Sequence, residues 1–425
     1  MTTRVIAKAS SFRRTVITPG DKSISHRALL ISALADGEST IKGLSKGEDV
    51  GRTLRIIQQL GASAAINGDT VVVTGPKDGL VATSEVLYCG NSGTTIRLLI
   101  GLLGGVEGRH QVSGDASLSR RPMDRVAVPL RLMGVEIEGQ GPTLTPPISM
   151  RGATTLKPID FDMPTASAQV KSAILFAALS AEGVTHVRES VRTRANTEEM
   201  LVAAGVEVTS RDVGAGRIVT IHPTRPAPQH WAVPGDPSQA AFFVVAGLIH
   251  NEGEVAVPNI YDGPERTGFL SVLSRMGGDI EETRGPSGIN VVARSSKLEG
   301  TDISSSEIPS VDEVPALTVA ACAASGVTRF IDMAELRIKE SDRFAESIRL
   351  AHALGAEISV DGDNFEVTGL GSASAFKAFE FEAPDDHRMA MSASIAAYCG
   401  NGGVIHGVES VDTSFPGFFD FLSEV

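Results

Sequence analysis

The sequence predicts an α/β protein of two domains, each built from three copies of a β-α-β-α-β-β repeat. Three observations lead to this fold class. Glycines recur in two interleaved series of nearly constant period, alternating apolar runs follow the second series, and the tripeptide Pro-Gly-Asp occurs twice, about half a chain apart. A fixed period of this kind is typical of repeat architectures.

The first glycine series marks the passage from a helix of small residues into a strand. It is spelled, for example, "ALADGESTI" and "CAASGVTRF", and its members lie 70 to 77 residues apart. Glycine after a helix closes it in the left-handed conformation. The six members are Gly37, Gly108, Gly183, Gly253, Gly326 and Gly403.

The second glycine series ends a second helix in each repeat. Its spellings include "QQLGASAAI" and "HALGAEISV", and its members lie 71 to 78 residues apart. Alternating runs such as "TVVVTG" and "GINVVAR" then predict hairpin strands. The members of this series are Gly61, Gly134, Gly205, Gly277 and Gly355.

The sixth repeat has no hairpin after its second helix, which is predicted for "FPGFFDFLSEV". The segment "RVIAKASSFRRTVIT" precedes the first repeat and is expected to supply the missing strands. That arrangement would put both ends of the chain in one domain.

Pro-Gly-Asp stands at Pro19–Asp21 and at Pro234–Asp236, each time before the first helix of a repeat. Pro-Gly is a turn signal, so both tripeptides could be ordinary turns. The more economical interpretation is that the chain crosses between domains there. The predicted domains are 18–235 on the one hand and 1–17 with 236–425 on the other.

Composition restricts the function classes. The 425 residues carry a formal net charge of −13, which argues against nucleic acid or an anionic membrane as the main partner. No apolar run of about 18 residues is present to span a membrane. Cys89, Cys322 and Cys399 lie far apart without a CxxC pair, which favours a reduced cytoplasm and argues against structural zinc.

The helix starts are unusually polar. In "PGDKSISHRALL" cations stand at a helix N-terminus, where the macrodipole is already positive. Such a start is either a solvated helix end or an anion site made of peptide N–H groups, hydroxyls and cations. Polar starts of the same kind are "CGNSGTTIRLL", "TASAQVKSAIL", "SVDEVPALT" and "APDDHRMAMS", and the second helices follow "SLSRRPMDR", "SVRTRANTEE" and "LRIKESDRF".

Each of these clusters alone is well explained as a solvated cap. Their coincidence matters, because internal symmetry places equivalent loops at equivalent ends of the repeats. We therefore expect one cationic cleft that attracts small anions, with Asp312 and Glu340 moving protons. A Walker loop and a sustained GxGxxG are both missing, which argues against nucleotide binding. The cations are Lys22, Arg27, Arg121, Arg194, Lys339, Arg343 and Arg388.

The segments "PGDKSISHRALL", "GNSGTTIRLL", "GDASLSRRPMDR", "TASAQVKSA", "LRIKESDR" and "DDHRMAMS" resemble the 5-enolpyruvylshikimate-3-phosphate (EPSP) synthase family, in the family's order and over essentially the whole chain. The resemblance implies a two-domain inverse α/β barrel of the EPT/RTPC-like class, with six βαβαββ units, three per domain. It implies transfer of the enolpyruvyl group of phosphoenolpyruvate to the 5-hydroxyl of shikimate 3-phosphate. Phosphate is released through a tetrahedral intermediate, and the pathway leads to chorismate and the aromatic amino acids.

The resemblance also assigns site residues, position by position, and implies neither a metal nor an organic cofactor. Asp312 would accept the proton of the 5-hydroxyl, and Glu340 with Lys22 would handle the proton at the methylene carbon. The residues matching the shikimate 3-phosphate site are Lys22, Ser23, Arg27, Ser167, Ala168, Gln169, Arg194, Asp312 and Lys339. Those matching the phosphoenolpyruvate site are Lys22, Gly93, Arg121, Gln169, Arg343 and Arg388.

The same resemblance implies a monomer and makes glyphosate an expected competitive inhibitor. Two positions bear on that expectation. Thr413 stands where many members have a lysine near the phosphoenolpyruvate site. Gly93 stands where some tolerant members have an alanine that crowds the inhibitor, so tolerance by that route is not expected.

Two other functions fit part of the pattern. The related enolpyruvyl transferase acting on UDP-N-acetylglucosamine shares the architecture but uses a loop cysteine as an acid, whereas all three cysteines here lie in or beside apolar segments. A non-catalytic anion-binding protein would keep the cations but would have no need of Asp312 or Glu340. Replacing Asp312 separates the enzyme from the binder.

Overall fold

The fold was analysed in a computed structural model, which describes residues 2–263 and 265–423. Its contacts divide the chain into two compact units. The central unit is Lys22–Val233, and the terminal unit combines Met1–Asp21 with Pro234–Val425. The chain therefore leaves one unit directly after one Pro-Gly-Asp tripeptide and returns to it at the start of the other.

Helices are separated by one to three strands along the described chain. Up to the end of the central unit they are β1 (Thr3–Ile6), β2 (Phe12–Thr15), α1 (Lys22–Leu34), β3 (Gly37–Lys42), α2 (Glu48–Gln59), β4 (Ser63–Asn67), β5 (Thr70–Gly75), β6 (Val86–Tyr88), α3 (Gly93–Gly104), β7 (Gly108–Ser113), α4 (Asp124–Leu132), β8 (Glu136–Gln140), β9 (Thr145–Gly152), β10 (Asp160–Asp162), α5 (Ala168–Ala178), β11 (Thr185–Glu189), α6 (Asn196–Ala203), β12 (Val208–Val213), β13 (Gly216–Ile221) and β14 (His230–Ala232).

The rest of the terminal unit continues in the same way. Its elements are α7 (Pro237–Ile249), β15 (Gly253–Ile260), α8 (Gly268–Arg275), β16 (Asp279–Arg284), β17 (Ile289–Arg294), β18 (Asp302–Ser304), α9 (Val314–Ala323), β19 (Val327–Ile331), α10 (Arg343–Leu354), β20 (Glu357–Asp361), β21 (Asn364–Thr368), β22 (Phe379–Glu382), α11 (His387–Cys399) and β23 (Gly403–His406).

One sheet pattern recurs through both units. In the second repeat the strand order is β6-β7-β9-β8, in which β6 and β7 are parallel and the hairpin β8–β9 adds antiparallel strands. The third and fifth repeats have the equivalent orders β10-β11-β13-β12 and β18-β19-β21-β20. The predicted hairpin runs "TVVVTG" and "GINVVAR" are strands β5 and β17. The predicted β-α-β-α-β-β repeat is thus observed.

The first and fourth repeats exchange their first strands. Strand β2 directly precedes α1 in the sequence, yet it pairs in parallel with β15 of the fourth repeat. Strand β14 directly precedes α7, yet it pairs in parallel with β3 of the first repeat. Each exchanged strand leads into one of the two Pro-Gly-Asp tripeptides.

The two tripeptides are joined by backbone hydrogen bonds within the terminal unit. Asp21 N donates to Pro234 O at 2.7 Å, and Asp236 N donates to Pro19 O at 2.9 Å. The guanidinium of Arg266 lies 2.7 Å from Asp21 Oδ2 and 2.9 Å from Asp236 Oδ1. One buried arginine therefore binds the aspartate of both tripeptides.

The sixth repeat differs from its prediction. Its sheet has three described strands in the order β1-β23-β22, so the N-terminal segment supplies β1 as expected. The predicted second helix at "FPGFFDFLSEV" is wrong for the residues described. That region holds the short 3₁₀ helix Phe418–Leu422, and Glu424 and Val425 lie outside the described residues. Gly417 has a φ of 86°, which is outside the α-helical range, so no helix runs through Phe415–Gly417 and the helical segment begins only at Phe418.

The two glycine series also differ. All five glycines of the second series have positive φ, between 79° and 101°, as expected for residues that close a helix. In the first series the same expectation is wrong for Gly183, Gly253 and Gly403, which are not among the residues with positive φ. Gly253 and Gly403 begin strands β15 and β23, as Gly37 and Gly108 begin β3 and β7, but only the latter two do so with positive φ.

The first helix of each repeat lies in the core. In the terminal unit every residue of α7, α9 and α11 is buried, and these three helices pack against one another. A helix that is apolar on all sides is stable only when surrounded in this way. Arg388, the one arginine of these three helices, accordingly lies in a first turn. No helix in the described residues is long and apolar enough to cross a membrane.

Candidate active site

Helix α1 begins with the residues of the polar segment noted in the sequence. Lys22 Nζ lies 3.1 Å from Asp49 Oδ2, in the first turn of α2, and both side chains keep some contact with solvent. Arg27 is buried, and its guanidinium donates to Thr197 Oγ1 at 2.6 Å and to Ser172 Oγ at 2.7 Å. Arg27 therefore ties α1 to helices α5 and α6.

Three of the residues predicted for shikimate 3-phosphate meet at this end of α1. Arg194, in the segment between β11 and α6, donates from Nη1 to Ser23 Oγ at 3.2 Å. Arg27 Nη1 donates to the backbone oxygen of Ser23 at 2.9 Å. Ser23 thus contacts one arginine through its side chain and another through its main chain.

Helix α5 presents the next predicted residues at its N-terminus. Ser167 caps the helix, its Oγ accepting from Val170 N. Gln169 follows, and its side-chain amide is oriented by two partners. Arg97 Nη1 donates to Gln169 Oε1 at 2.7 Å, and Gln169 Nε2 donates to Thr94 Oγ1 at 3.0 Å. The first turns of α3 and α5 are therefore connected by side chains.

Gly93, at the start of α3, leaves space for two guanidinium groups. A Cβ at this position would lie 2.8 Å from Arg97 Nη1 and 3.0 Å from Arg121 Nη1. Arg121 is buried, and its Nη2 donates to Asn91 Oδ1 at 2.5 Å. Glycine at position 93 therefore lets both arginines approach the start of the helix.

Beneath this surface runs a buried chain of hydrogen bonds that begins at His26. Its Nδ1 lies 2.8 Å from Thr53 Oγ1, which lies 3.0 Å from Thr95 Oγ1. Thr95 Oγ1 donates to Ser92 Oγ, the cap of α3, at 2.7 Å. Burial, followed by the nearby charges of Lys22 and Arg27, holds the pKa of His26 well below its ordinary value. His26 is therefore neutral.

In the terminal unit, Asp312 is surrounded by cations. Its Oδ1 accepts from Arg343 Nη1 at 3.0 Å and lies 4.0 Å from Lys339 Nζ, and its Oδ2 lies 3.6 Å from Arg388 Nη2. The preceding residue, Val311, has a φ of 48°. A β-branched residue rarely adopts this conformation, and such strain is common where a backbone positions a functional group.

Arg343 connects three carboxylates. It binds Asp312, contacts Glu340 Oε2 at 2.5 Å, and binds both carboxylate oxygens of Asp386. Burial by itself would lower the pKa of Arg343, but Asp386, Glu340 and Asp312 outweigh it and raise that pKa. Arg343 is thus a permanent cation that Asp312 and Glu340 share.

Lys339 and Arg388 complete this cluster. Lys339 Nζ donates to Ser310 O at 3.2 Å. Removal from water lowers the pKa of Lys339, and the negative charge of Asp312 acts in the opposite direction. Arg388 Nη1 donates to the backbone oxygen of Asp312 at 3.3 Å, and its own N–H is bound by Asp386, which caps α11.

The predicted site residues fall into one cluster in each compact unit. The central cluster carries five cations and one carboxylate, whereas the terminal cluster carries three of each. The excess of positive charge expected for two acidic substrates is therefore in the central cluster. The central cluster comprises Lys22, Arg27, Asp49, Arg97, Arg121 and Arg194, and the terminal cluster comprises Asp312, Lys339, Glu340, Arg343, Asp386 and Arg388.

Thr413 does not supply a cation, and its hydroxyl closes a 3₁₀ turn by donating to Ser410 O at 2.6 Å. The three cysteines Cys89, Cys322 and Cys399 are free and buried, and burial raises the pKa of each thiol. A buried thiol with a raised pKa is unsuited to the role of a loop acid.

Sequence reasoning missed several residues of these clusters. Asp49 and Arg97 of the central cluster were not among the predicted site residues, although Asp49 binds Lys22 and Arg97 binds Gln169. Arg97 carried the clearest signal, since it is the one charged residue in the otherwise apolar helix start "GTTIRLL". Within the described residues, no group of three or more histidine, cysteine, aspartate or glutamate side chains is arranged to hold a metal ion.

The sequence profile of EPSP synthase (3-phosphoshikimate 1-carboxyvinyltransferase) matches residues 6–422. The chain belongs to the EPSP synthase family. A 3-phosphoshikimate 1-carboxyvinyltransferase of Streptococcus uberis is 41% identical over 424 residues, covering 98% of both chains. The enzyme of that name from Enterococcus faecalis is 39% identical over 419 residues, covering 97% of both.

The fold agrees with this EPSP synthase assignment. An EPSP synthase structure from Acinetobacter baumannii superposes with a TM-score of 0.85 at 37% sequence identity, covering 99% of this chain and 97% of that one. The predicted fold class, an inverse α/β barrel with six βαβαββ units, is thus confirmed. The family predicted from the polar segments is confirmed as well.

Proposed function

We propose that the central and terminal clusters serve one reaction, the transfer of the enolpyruvyl group of phosphoenolpyruvate to the 5-hydroxyl of shikimate 3-phosphate. Carboxyvinyl transfer to 3-phosphoshikimate is the activity of the EPSP synthase family, to which this chain belongs over nearly its whole length. What the proposal adds is the role of each residue.

Shikimate 3-phosphate binds mainly to the central cluster in this proposal. Ser23, Arg27 and Arg194 meet at the start of α1, and Ser167, Ala168 and Gln169 form the start of α5. Helix N-termini and arginines are good donors to phosphate and carboxylate oxygens. Asp312 and Lys339 of the terminal cluster contact the same substrate near its 5-hydroxyl.

Phosphoenolpyruvate also carries a phosphate and a carboxylate. Lys22, Arg121 and Gln169 bind it from the central cluster, with Gly93 providing room. Arg343 and Arg388 of the terminal cluster bind it with the positive charge and N–H groups of their guanidinium ends. Their positions are supported by bonds to Asp386.

The chemistry needs a base on oxygen and an acid on carbon. Asp312 takes the proton of the 5-hydroxyl as that oxygen bonds to C2 of phosphoenolpyruvate. Glu340, aided by Lys22, delivers a proton to the methylene carbon and so completes the tetrahedral intermediate. Removal of a proton from the new methyl group then expels phosphate and restores the double bond. Each positioned proton transfer contributes about 10²–10⁴-fold in rate.

One observation carries these assignments. Asp312 and Glu340 both bind Arg343, at 3.0 Å and 2.5 Å, so a single buried cation holds the two carboxylates that the addition and elimination require. A protein that only bound anions would have no proton transfer for these two carboxylates to perform.

A phosphate-release assay tests the proposal. Release should require both substrates, and Asp312→Asn and Glu340→Gln should each lower kcat about 10²–10⁴-fold while shikimate 3-phosphate still binds. Asp363→Asn, at an exposed carboxylate of the same unit, should retain full activity. Release of phosphate from phosphoenolpyruvate alone, or full turnover by Asp312→Asn, would contradict the mechanism.

Three further expectations complete the proposal. Glyphosate, which carries a phosphonate and a carboxylate, should compete with phosphoenolpyruvate and raise its apparent KM without changing kcat.

Every proposed role is filled by one chain, so light scattering should give the mass of a monomer, 44.5 kDa. The three free thiols favour a reducing compartment, the cytoplasm.

A further inference from the structure

A buried charge cluster lies beneath the segment that carries Arg194. Lys171, on α5, places its Nζ 3.1 Å from Glu189 Oε1 and 2.7 Å from Glu198 Oε1. The side chains of Lys171 and Glu189 are fully buried, and that of Glu198 is 5% exposed. One lysine thus stands between the end of β11 and the first turn of α6.

The cluster fastens the Arg194 segment at one residue, Thr193. Glu189 Oε1 accepts from Thr193 N at 3.2 Å, and Glu189 Oε2 accepts from Thr193 Oγ1 at 2.6 Å. Lys171 Nζ donates to Thr193 O at 3.4 Å. All three polar atoms of Thr193 are therefore bound by Glu189 and Lys171, whereas the preceding residues Val191 and Arg192 are exposed.

Such a cluster is a costly way to stabilise a fold. Removing a lysine and two carboxylates from water costs several kcal/mol per ion, and apolar residues of similar volume are often as stable. The contacts of Lys171 indicate the role of this buried charge cluster. Lys171 lies on the helix that begins with Ala168 and Gln169, so it fixes the distance between that helix start and the segment next to Arg194.

We propose that Lys171, Glu189 and Thr193 are positioning residues for shikimate 3-phosphate. Glu189 and Lys171 hold Thr193 in place. Thr193 in turn positions the neighbouring Arg194, whose guanidinium donates to Ser23. The inference rests on the proposed function, since it takes Arg194 to bind this substrate. None of the three positioning residues needs to touch the substrate itself.

The variant Thr193→Val tests the inference with little change of shape, because valine lacks only the hydroxyl that binds Glu189. The Kd for shikimate 3-phosphate should rise about tenfold, as expected for a guanidinium that is no longer held in place. The KM for phosphoenolpyruvate at saturating shikimate 3-phosphate, and kcat, should stay unchanged. Thr193→Ser keeps the hydroxyl and should bind like the unaltered protein.

Glu198→Gln is the matched control. Glu198 pairs with Lys171, whereas the carboxylate that binds Thr193 is Glu189, so this variant should leave the Kd for shikimate 3-phosphate unchanged. The melting temperature of every variant is measured alongside, because a role in stability alone would lower it in Thr193→Val without a specific loss of substrate binding.

A double-mutant cycle with Arg194→Ala separates the possible outcomes. If Thr193 acts through Arg194, Thr193→Val should cause no further loss of binding when combined with Arg194→Ala. A full tenfold loss on top of Arg194→Ala, or no loss from Thr193→Val alone, would overturn the inference. Unchanged binding by Arg194→Ala would instead overturn the proposed assignment of Arg194 to the substrate.

Discussion

Arg343 binds both carboxylate oxygens of Asp386, from Nε to Oδ2 at 2.8 Å and from Nη2 to Oδ1 at 3.2 Å. Both side chains are almost fully buried, with 1% and 0% of their surface exposed. The paired bonds fix the plane of the guanidinium, and the remaining Nη1 donates to Asp312. Asp386 therefore sets the orientation of the arginine shared by Asp312 and Glu340, the two carboxylates proposed to transfer protons.

Asp386→Ala should destabilise the protein and impair the site together. It leaves a buried guanidinium without its main partner and removes the cap of α11, so the free energy of unfolding should fall by about 3–5 kcal/mol. Urea unfolding measures this loss. Asp363→Ala removes an exposed partner of Arg337 instead and should cost no more than about 1 kcal/mol. Equal losses in the two variants would show that burial of the Asp386 pair has no energetic consequence.

Gly93→Ala should weaken binding of phosphoenolpyruvate while leaving the fold intact. The added methyl would lie 2.8 Å from Arg97 Nη1 and 3.0 Å from Arg121 Nη1, and both atoms are at the ends of flexible side chains that can move. The KM for phosphoenolpyruvate should rise roughly tenfold, since a misplaced donor loses its bond. Steady-state kinetics would decide, and an unchanged KM would mean that these arginines do not depend on the space at Gly93.

His26 should make the protein less stable in acid. The folded protein keeps His26 neutral because burial lowers its pKa well below 6.5, whereas the unfolded chain takes up a proton near pH 6.5. The unfolded state therefore binds more protons below that pH, and stability falls as pH decreases through this window, by at most about 1.4 kcal/mol per pH unit.

The variant His26→Asn retains a hydrogen-bonding group toward Thr53 and removes the titration. Urea unfolding at pH 7 and pH 5.5 should show a smaller loss of stability in the variant than in the unaltered protein. His222→Asn, at an exposed histidine, should follow the unaltered protein at both pH values. The same loss in all three proteins would exclude His26 as the source.

Phe418 should be essential for the stability of the sixth repeat. Its ring lies 5.1 Å from that of Phe243 and 5.7 Å from that of Phe415, measured between centroids, and it is fully buried. Phe418→Ala should lower the free energy of unfolding by about 3–5 kcal/mol. Val360→Ala, on an exposed strand position, should change it by less than about 0.5 kcal/mol. Thermal or urea unfolding provides the comparison.

The repeat could be recognised in the sequence because the glycines that end its helices act through local backbone conformation. A glycine such as Gly355, with a φ of 97°, closes its helix for reasons that depend on its own backbone. The sequence pattern was insufficient where tertiary packing decides the local conformation. Gly37 and Gly253 both start strands, but only Gly37 has a positive φ, and the apolar run after Gly417 forms a short 3₁₀ helix rather than an α-helix.

The candidate site was predicted through its polar helix starts, and its supporting residues were not. Glu189 ends a strand of alternating burial and shares the face of Val187, but the letters "THVRE" do not indicate that Lys171 is its partner. Asp49 and Arg97 were similarly hidden in ordinary helices. Their partners lie 27 and 72 residues away, and such pairings depend on packing that a single sequence does not display.

The exchanged strands have a consequence for synthesis on the ribosome. All three sheets of the central unit are made from strands between Gly37 and Ala232, so that unit has all its strands once β14 has emerged. Strands β1 and β2 are translated before the central unit, whereas their partners β23 and β15 are translated after it. The segment that carries β1 and β2 thus remains without its sheet neighbours while the central unit is made, and the two sheets that it joins are completed only afterwards.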